Sequence, residues 1–261
     1  MKFIGREKER KALEDYYQST GVQMVIVYGR RRVGKTCLLN EFTADKDCIF
    51  FTAVEASYES NLRAFSEVVS AHFGGTDQGI RYDSFERAFR VIKEQAETKK
   101  VVLVIDEYPY LALSDSSMAS VLQKTIDTEW KQSNIMLILS GSSISFMEDE
   151  VLSEKSPLFG RRTSQLKLQP FGYREAAEFT PGYSAEDKAL CFGITGGVAK
   201  YLELLDDSMS VDENIIQLFF SKSGYLYEET NNLLAQEFRN VTSYSAVIEA
   251  IACGSNKLNE I

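Results

Sequence analysis

Gly29, Gly34, Lys35 and Thr36 stand in the spacing G-x-x-x-x-G-K-[ST], and each residue type suits one task at its place. Two glycines let a backbone curl without Cβ clashes, so that successive N–H groups turn inward on phosphate oxygens. The amine of Lys35 is expected to reach the β- and γ-phosphates of a nucleotide, and the Thr36 hydroxyl to supply an oxygen ligand to Mg2+. Arg30, Arg31, Arg32 and Val33 inside the loop, with Cys37 just behind it, complete the residues expected to line the nucleotide. A second group closes the apolar run VVLVI with Asp106 and Glu107. A carboxylate at the carboxyl end of a buried strand beside a phosphate loop holds Mg2+, and its neighbour orients or deprotonates an attacking water. Ser140 or Ser142, at the end of the run IMLIL, is expected to bond the γ-phosphate or that water. One of Arg161 and Arg162 is expected to stabilise charge on the transferring phosphoryl group, in cis or from a neighbouring subunit.

These residues need rigid elements to position them. The run over residues 22–28 is apolar and rich in β-branched residues, as a buried parallel strand requires, and a helix follows from about Gly34 with Cys37, Leu38 and Phe42 on its inner face. Before it, residues 8–18 read as a helix carrying Leu13, Tyr16 and Tyr17 on one side. After it, CIFFT over 48–52 reads as a second buried strand. Helices are expected over 59–73 and 84–97, divided by Gly74, Gly75 and Gly79, with His72 at the end of the first as a surface or dipole-complementing residue. Strands over 101–107, 135–140 and 164–168 and a helix over 117–130 complete an alternating pattern. Past Pro170-Phe171-Gly172 only helices are expected, over 173–179, 185–192, 199–205, 213–221 and 228–238. The turn Thr195-Gly196-Gly197 suits a segment that closes over the nucleotide as a lid. From Ser243 the spacing of Tyr244, Val247, Ala250, Ile251, Gly254, Leu258 and Ile261 reads as the start of a helix-turn-helix.

The chain has 261 residues, of which 44% are hydrophobic, enough for a sizeable core. A formal charge of −9 and a pI near 4.9 argue against a protein that coats nucleic acid or anionic membrane indiscriminately. Cys37, Cys48, Cys191 and Cys253 lie far apart without a C-x-x-C pair, which suggests neither a zinc site nor a disulfide framework. No apolar run approaches the roughly 20 residues that span a bilayer, so a soluble, cytoplasmic protein without a membrane partner is expected. Guanine recognition would call for an N-K-x-D stretch after a late strand. None is present, and adenine is favoured.

Taken in order, FIGREKER, VYGRRRVGKT, VIDEYPYL, LSGSSISFM, LFGRRT, LQPFGYREA, GGVAKYL and YSAVIEAIACGSNKLNEI resemble the archaeal-type ATPases, an AAA+-related family grouped with the STAND signalling NTPases. The resemblance implies an α/β P-loop NTPase fold: a parallel sheet flanked by helices, with an additional strand between the phosphate-loop strand and its neighbour. It implies an ATPase domain over 1–170, a helical lid over 171–225 and the start of a winged helix over 226–261. Ile4, Gly5 and Arg6 match the family's N-terminal box near the adenine, Asp106 and Glu107 its metal-binding and water-activating pair, residues 140–142 its first sensor region, and Arg161 or Arg162 its γ-phosphate-sensing arginine. Where the family usually has proline after paired glycines, this chain has Val198-Ala199. The family usually continues beyond the winged helix into a nuclease-like domain, whose activity is not carried over to these residues.

The expected function is therefore a Mg2+-dependent, ATP-binding and slowly hydrolysing switch, with ATP and ADP as its ligands and a protein partner or a second copy of the chain as its target. The competing reading is a DNA- or protein-binding module in which the nucleotide is structural.

Overall fold

The apolar runs pair in parallel into one sheet in the computed structural model, which describes residues 3–74, 81–97, 99–237 and 241–257. The strands are β1 (Gln23–Tyr28), β2 (Cys48–Thr52), β3 (Val101–Asp106), β4 (Ile135–Gly141) and β5 (Ser164–Lys167), in the order β2-β3-β4-β1-β5. β4 thus separates the phosphate-loop strand from β3. β1, β3 and β4 are buried at every position, which is why they are almost continuously apolar. β2, expected to be buried, is an edge strand: Ile49 and Phe51 are fully buried, Cys48 and Phe50 are half-buried and Thr52 is exposed.

Parallel pairing requires crossovers, and the crossover helices cover both faces of the sheet. On one face Ile26, Leu103, Ile105, Leu137 and Leu139 pack with α3 (Tyr58–His72), α4 (Phe85–Gln95) and residues from further along the chain. Ring contacts extend that core: Phe65 stacks on Phe85 at 5.1 Å, and Phe89 meets Trp130 edge-on at 5.5 Å. On the other face Val25, Val27, Val102, Val104, Met136 and Ile138 pack with Leu13 of α1 (Glu7–Gln18) and with Leu38, Leu39 and Phe42 of α2 (Lys35–Thr43). Strand side chains alternate, so Asp106 and Ser140 continue this second set, on the side of α2. Cys37, expected on the inner face of α2, is exposed; Leu39 takes that place.

Ser57 and Ser84 start α3 and α4 by accepting the N–H groups of Ser60 and Arg87. A short helix, α5 (Tyr108–Ser114), follows β3 with proline in its first turn, where the missing N–H costs nothing. The helix expected over 117–130 is α6 (Met118–Lys124), which widens into a π-helical turn at Thr125–Glu129 and so brings Trp130 into the core. His72 is not isolated: its Nε2 lies 2.6 Å from Asp47, whose other oxygen pairs with Lys99 at 2.7 Å. The four cysteines are free thiols, and burial pushes that of Cys48 up to about 11. Gly75, Gly79, Leu258 and Ile261 lie outside the described residues.

The chain divides into two compact units between Phe171 and Gly172. The second unit contains helices Tyr173–Ala176, Ala185–Thr195, Ala199–Glu203, Val211–Ile215, Glu229–Glu237 and Val241–Ala252. Gly196 and Gly197, at φ 58° and 72°, make the turn that leads to Ala199. Among the described residues no helix is long and apolar enough to cross a membrane.

Trp130 is fully buried and its indole N–H donates to the Phe89 carbonyl at 3.2 Å. Trp130→Ala is expected to lower the unfolding free energy by about 3–5 kcal/mol, measured by chemical denaturation followed by circular dichroism.

Candidate functional site

The site lies at the carboxyl edge of the sheet, where β1 breaks into residues 29–34. Gly29 has φ 155°, and a Cβ there would sit 2.4 Å from the Leu168 carbonyl oxygen. Glycine is therefore required by the close passage of the chain leaving β5. Gly34, at φ 93°, caps α2 without a side-chain bond, and the positive end of that helix faces the loop. Lys35 is buried, its ammonium donating to the carbonyls of Gly29 at 2.9 Å and Arg30 at 3.0 Å. The amine is thereby held over the loop that the spacing assigned to phosphates.

The two sequence groups meet. The Thr36 hydroxyl donates to Asp106 Oδ2 at 2.8 Å, and the Glu107 N–H donates to Asp106 Oδ1 at 3.1 Å. Asp106 is only 2% exposed, and neither donor carries a charge. A buried carboxylate beside a hydroxyl is the hard-oxygen donor set that suits Mg2+. Ser140 adds a second observation: it is fully buried and its hydroxyl has no hydrogen-bond partner. Through the β1–β4 and β3–β4 registers it lies between Val27 and the residue after Ile105, on the Asp106 side of the sheet. These residues fit a magnesium nucleotide.

Glu107 has a left-handed backbone, φ 51°, unusual for a side chain of its size, and this turns it off the strand end. Its Oε2 accepts both the amide of Ser142 at 3.2 Å and the hydroxyl of Ser142 at 2.8 Å. The two serines thus separate, Ser140 lying on the side of Asp106 and Ser142 holding Glu107. Arg31 donates to the Tyr110 hydroxyl at 3.1 Å and so ties the loop to α5. Arg30 is exposed, Arg32 is half-buried with φ 68°, and Val33 is fully buried.

The other expected residues are not gathered here by any described contact. Arg161 forks onto Asp127, at 2.9 and 2.7 Å, and holds that carboxyl below its ordinary value. Arg162 donates to the Leu152 carbonyl at 2.7 Å and lies over the Phe159 ring. Ile4 is half-buried, and no described contact brings it to the loop. Arg6, expected near the adenine, is 4% exposed and donates to the Val33 carbonyl at 2.9 Å. The roles of Arg6, Ser142 and Tyr110 depend on contacts between distant segments. Only the positions of Glu107 and Ser142 just past apolar runs pointed toward one of them.

A model of the ATPase-domain family found predominantly in Archaea matches residues 3–205. The chain belongs to this family. An uncharacterised protein of Methanocaldococcus jannaschii is 33% identical to this archaeal-type ATPase over 263 residues, covering 99% of the chain and 56% of its own length. The chain thus spans little more than half of that relative. The Walker-type ATPase PABY2304 of Pyrococcus abyssi superposes with a TM-score of 0.70 at 19% identity, over 99% of this chain and 82% of its own. The ORC1 protein of Aeropyrum pernix, in its complex with DNA, does so with a TM-score of 0.56 at 14% identity, over 92% of this chain and 70% of its own. These likenesses establish an AAA+-like P-loop fold for the archaeal-type ATPase.

Gly29→Ala places a methyl group against Leu168 at a distance that forces the loop to move, at a cost of about 1–3 kcal/mol. The variant is expected to weaken ATP binding by roughly tenfold or more, measured by titration with a fluorescent ATP analogue.

Proposed function

We propose that this ATPase domain binds ATP with Mg2+, hydrolyses it slowly and uses the difference between its ATP and ADP states as a switch. The observation that carries the reading is the joining of the phosphate loop to the acidic strand end by the bond from Thr36 to Asp106. Lys35 and the loop amides would hold the β- and γ-phosphates, and Thr36 and Asp106 would hold Mg2+. Bound magnesium neutralises charge that develops on the phosphates during transfer. Glu107, held by Ser142, would orient or deprotonate the attacking water, and the buried Ser140 hydroxyl would donate to the γ-phosphate or to that water. Arg161 or Arg162 would act on the nucleotide only after leaving its present partner, so a second copy of the chain or a protein partner is the natural trigger. Residues 171–225 would serve as the lid and residues 226–261 as the start of a winged helix, with the γ-phosphate ordering the lid and its loss releasing it.

A second reading, a module in which nucleotide is structural and the C-terminal helices bind DNA or protein, draws support from the fold shared with DNA-bound ORC1. The formal charge of −9 opposes its DNA form. Binding to duplex DNA that falls steeply with salt would favour this reading, and no binding at low salt would remove DNA as the partner.

Lys35→Ala is expected to abolish measurable ATP binding. Glu107→Gln is expected to retain binding and lose turnover by about 10²–10⁴-fold, with Ser142→Ala between it and the unmodified protein. Steady-state phosphate release checks all three, and rates equal to the unmodified protein would place the hydrolysis elsewhere.

A further inference from the structure

The phosphate loop is pinned at both ends to one short stretch of chain, the exit from β5. At its first residue, Gly29 passes so close to the Leu168 carbonyl that no side chain fits, and the Leu168 N–H donates to the Tyr28 carbonyl at 2.7 Å. Near its last residue the tie is made by Arg6. One guanidinium nitrogen donates to the Val33 carbonyl at 2.9 Å and to the Gln169 carbonyl at 2.6 Å, and the guanidinium carbon lies 4.3 Å from the centre of the Phe171 ring. Glu9 adds a carboxylate at 3.3 Å.

This clamp is built at some cost. Gly5 and Arg6 both have φ 65°, and a left-handed backbone at arginine is unfavourable unless its surroundings enforce it. Burial of a charged side chain to 4% exposure is likewise tolerated only when it is well paired. Both features make sense if one side chain must bridge two carbonyls while its flat, delocalised head lies over the Phe171 ring, a combination that the compact ammonium of lysine does not reproduce. Gln169 and Phe171 are the last residues before the chain crosses into its second unit at Gly172. Arg6 therefore links the Val33 carbonyl directly to the segment that leads into the second unit. Lys35 bonds the Gly29 and Arg30 carbonyls; the phosphate oxygens of a bound nucleotide would compete for that ammonium, which gives the loop a reason to shift with nucleotide state.

We propose that Arg6 is a positioning residue that transmits the state of the phosphate loop to the hinge at Gln169–Phe171 and so to the second unit. This deepens the switch reading and rests on it. The test is hydrogen–deuterium exchange of the whole chain with a non-hydrolysable ATP analogue and with ADP, followed over peptides covering residues 169–179. The unmodified protein is expected to exchange differently in the two states there. Arg6→Lys is expected to lose that difference, and Phe171→Leu to reduce it while keeping nucleotide affinity. Trp130→Ala, destabilised elsewhere, is expected to keep it, which separates coupling from loss of stability. Should Arg6→Lys not fold, Phe171→Leu decides by itself. A full difference retained in either folded variant overturns the role of Arg6 and leaves the switch standing. No difference in the unmodified protein, with both nucleotides bound, overturns the switch and the coupling together.

Discussion

The bond between the Thr36 hydroxyl and the Asp106 carboxylate crosses a gap that the sheet itself creates. β1 and β3 do not touch, because β4 lies between them, and two strand spacings separate their axes by about 10 Å. A hydroxyl delivered by the end of β1 reaches a carboxylate at the end of β3 only if the loop carries the helix start over the end of β4. The strand beneath must then present something small. Ser140 satisfies that requirement, and the bulkier Ile138 and Met136 occupy the same face deeper in the core. The order of strands, the small residue on β4 and the length of the loop are thus parts of one geometrical condition.

Backbone strain follows the same site. Among the described residues, the non-glycine positions with positive φ are Arg6, Arg32 and Glu107. One braces the phosphate loop, one belongs to it, and one bears the carboxylate held by Ser142. Such conformations persist where surrounding contacts over-determine them, and here those contacts are named: two carbonyls and a ring for Arg6, an amide and a hydroxyl for Glu107. Strain gathered at one edge of the first unit is where a small ligand, by altering those contacts, would have most effect.

Much of this was legible in the residues. VVLVID and IMLILS read as strands because burial on both faces leaves only apolar side chains, and the loop is legible because phosphate binding demands glycine and lysine at fixed offsets. Edge strands were less clear: β2 looks buried in sequence, yet Cys48 and Phe50 are only half-covered and Thr52 is exposed, since only neighbouring strands decide what is an edge. The helix expected over 117–130, with Trp130 on its apolar side, is present over 118–129, but its widening into a π-helical turn at Thr125 is announced by no glycine or proline. Arginine contacts were the least legible. Arg6 was expected near the adenine and Arg161 or Arg162 at the γ-phosphate, and only long-range contacts show that the first bonds two carbonyls, the second forks onto Asp127 and the third bonds the Leu152 carbonyl.

The central claim is that Thr36 and Asp106 form half of a magnesium site completed by ATP. Equilibrium binding of ATP, titrated with and without Mg2+ in the unmodified protein and in Asp106→Asn, tests it most directly. The account predicts that Mg2+ tightens ATP binding in the unmodified protein and that Asp106→Asn, still folded, loses most of that gain while its metal-free affinity changes little. The same gain in both proteins would contradict it.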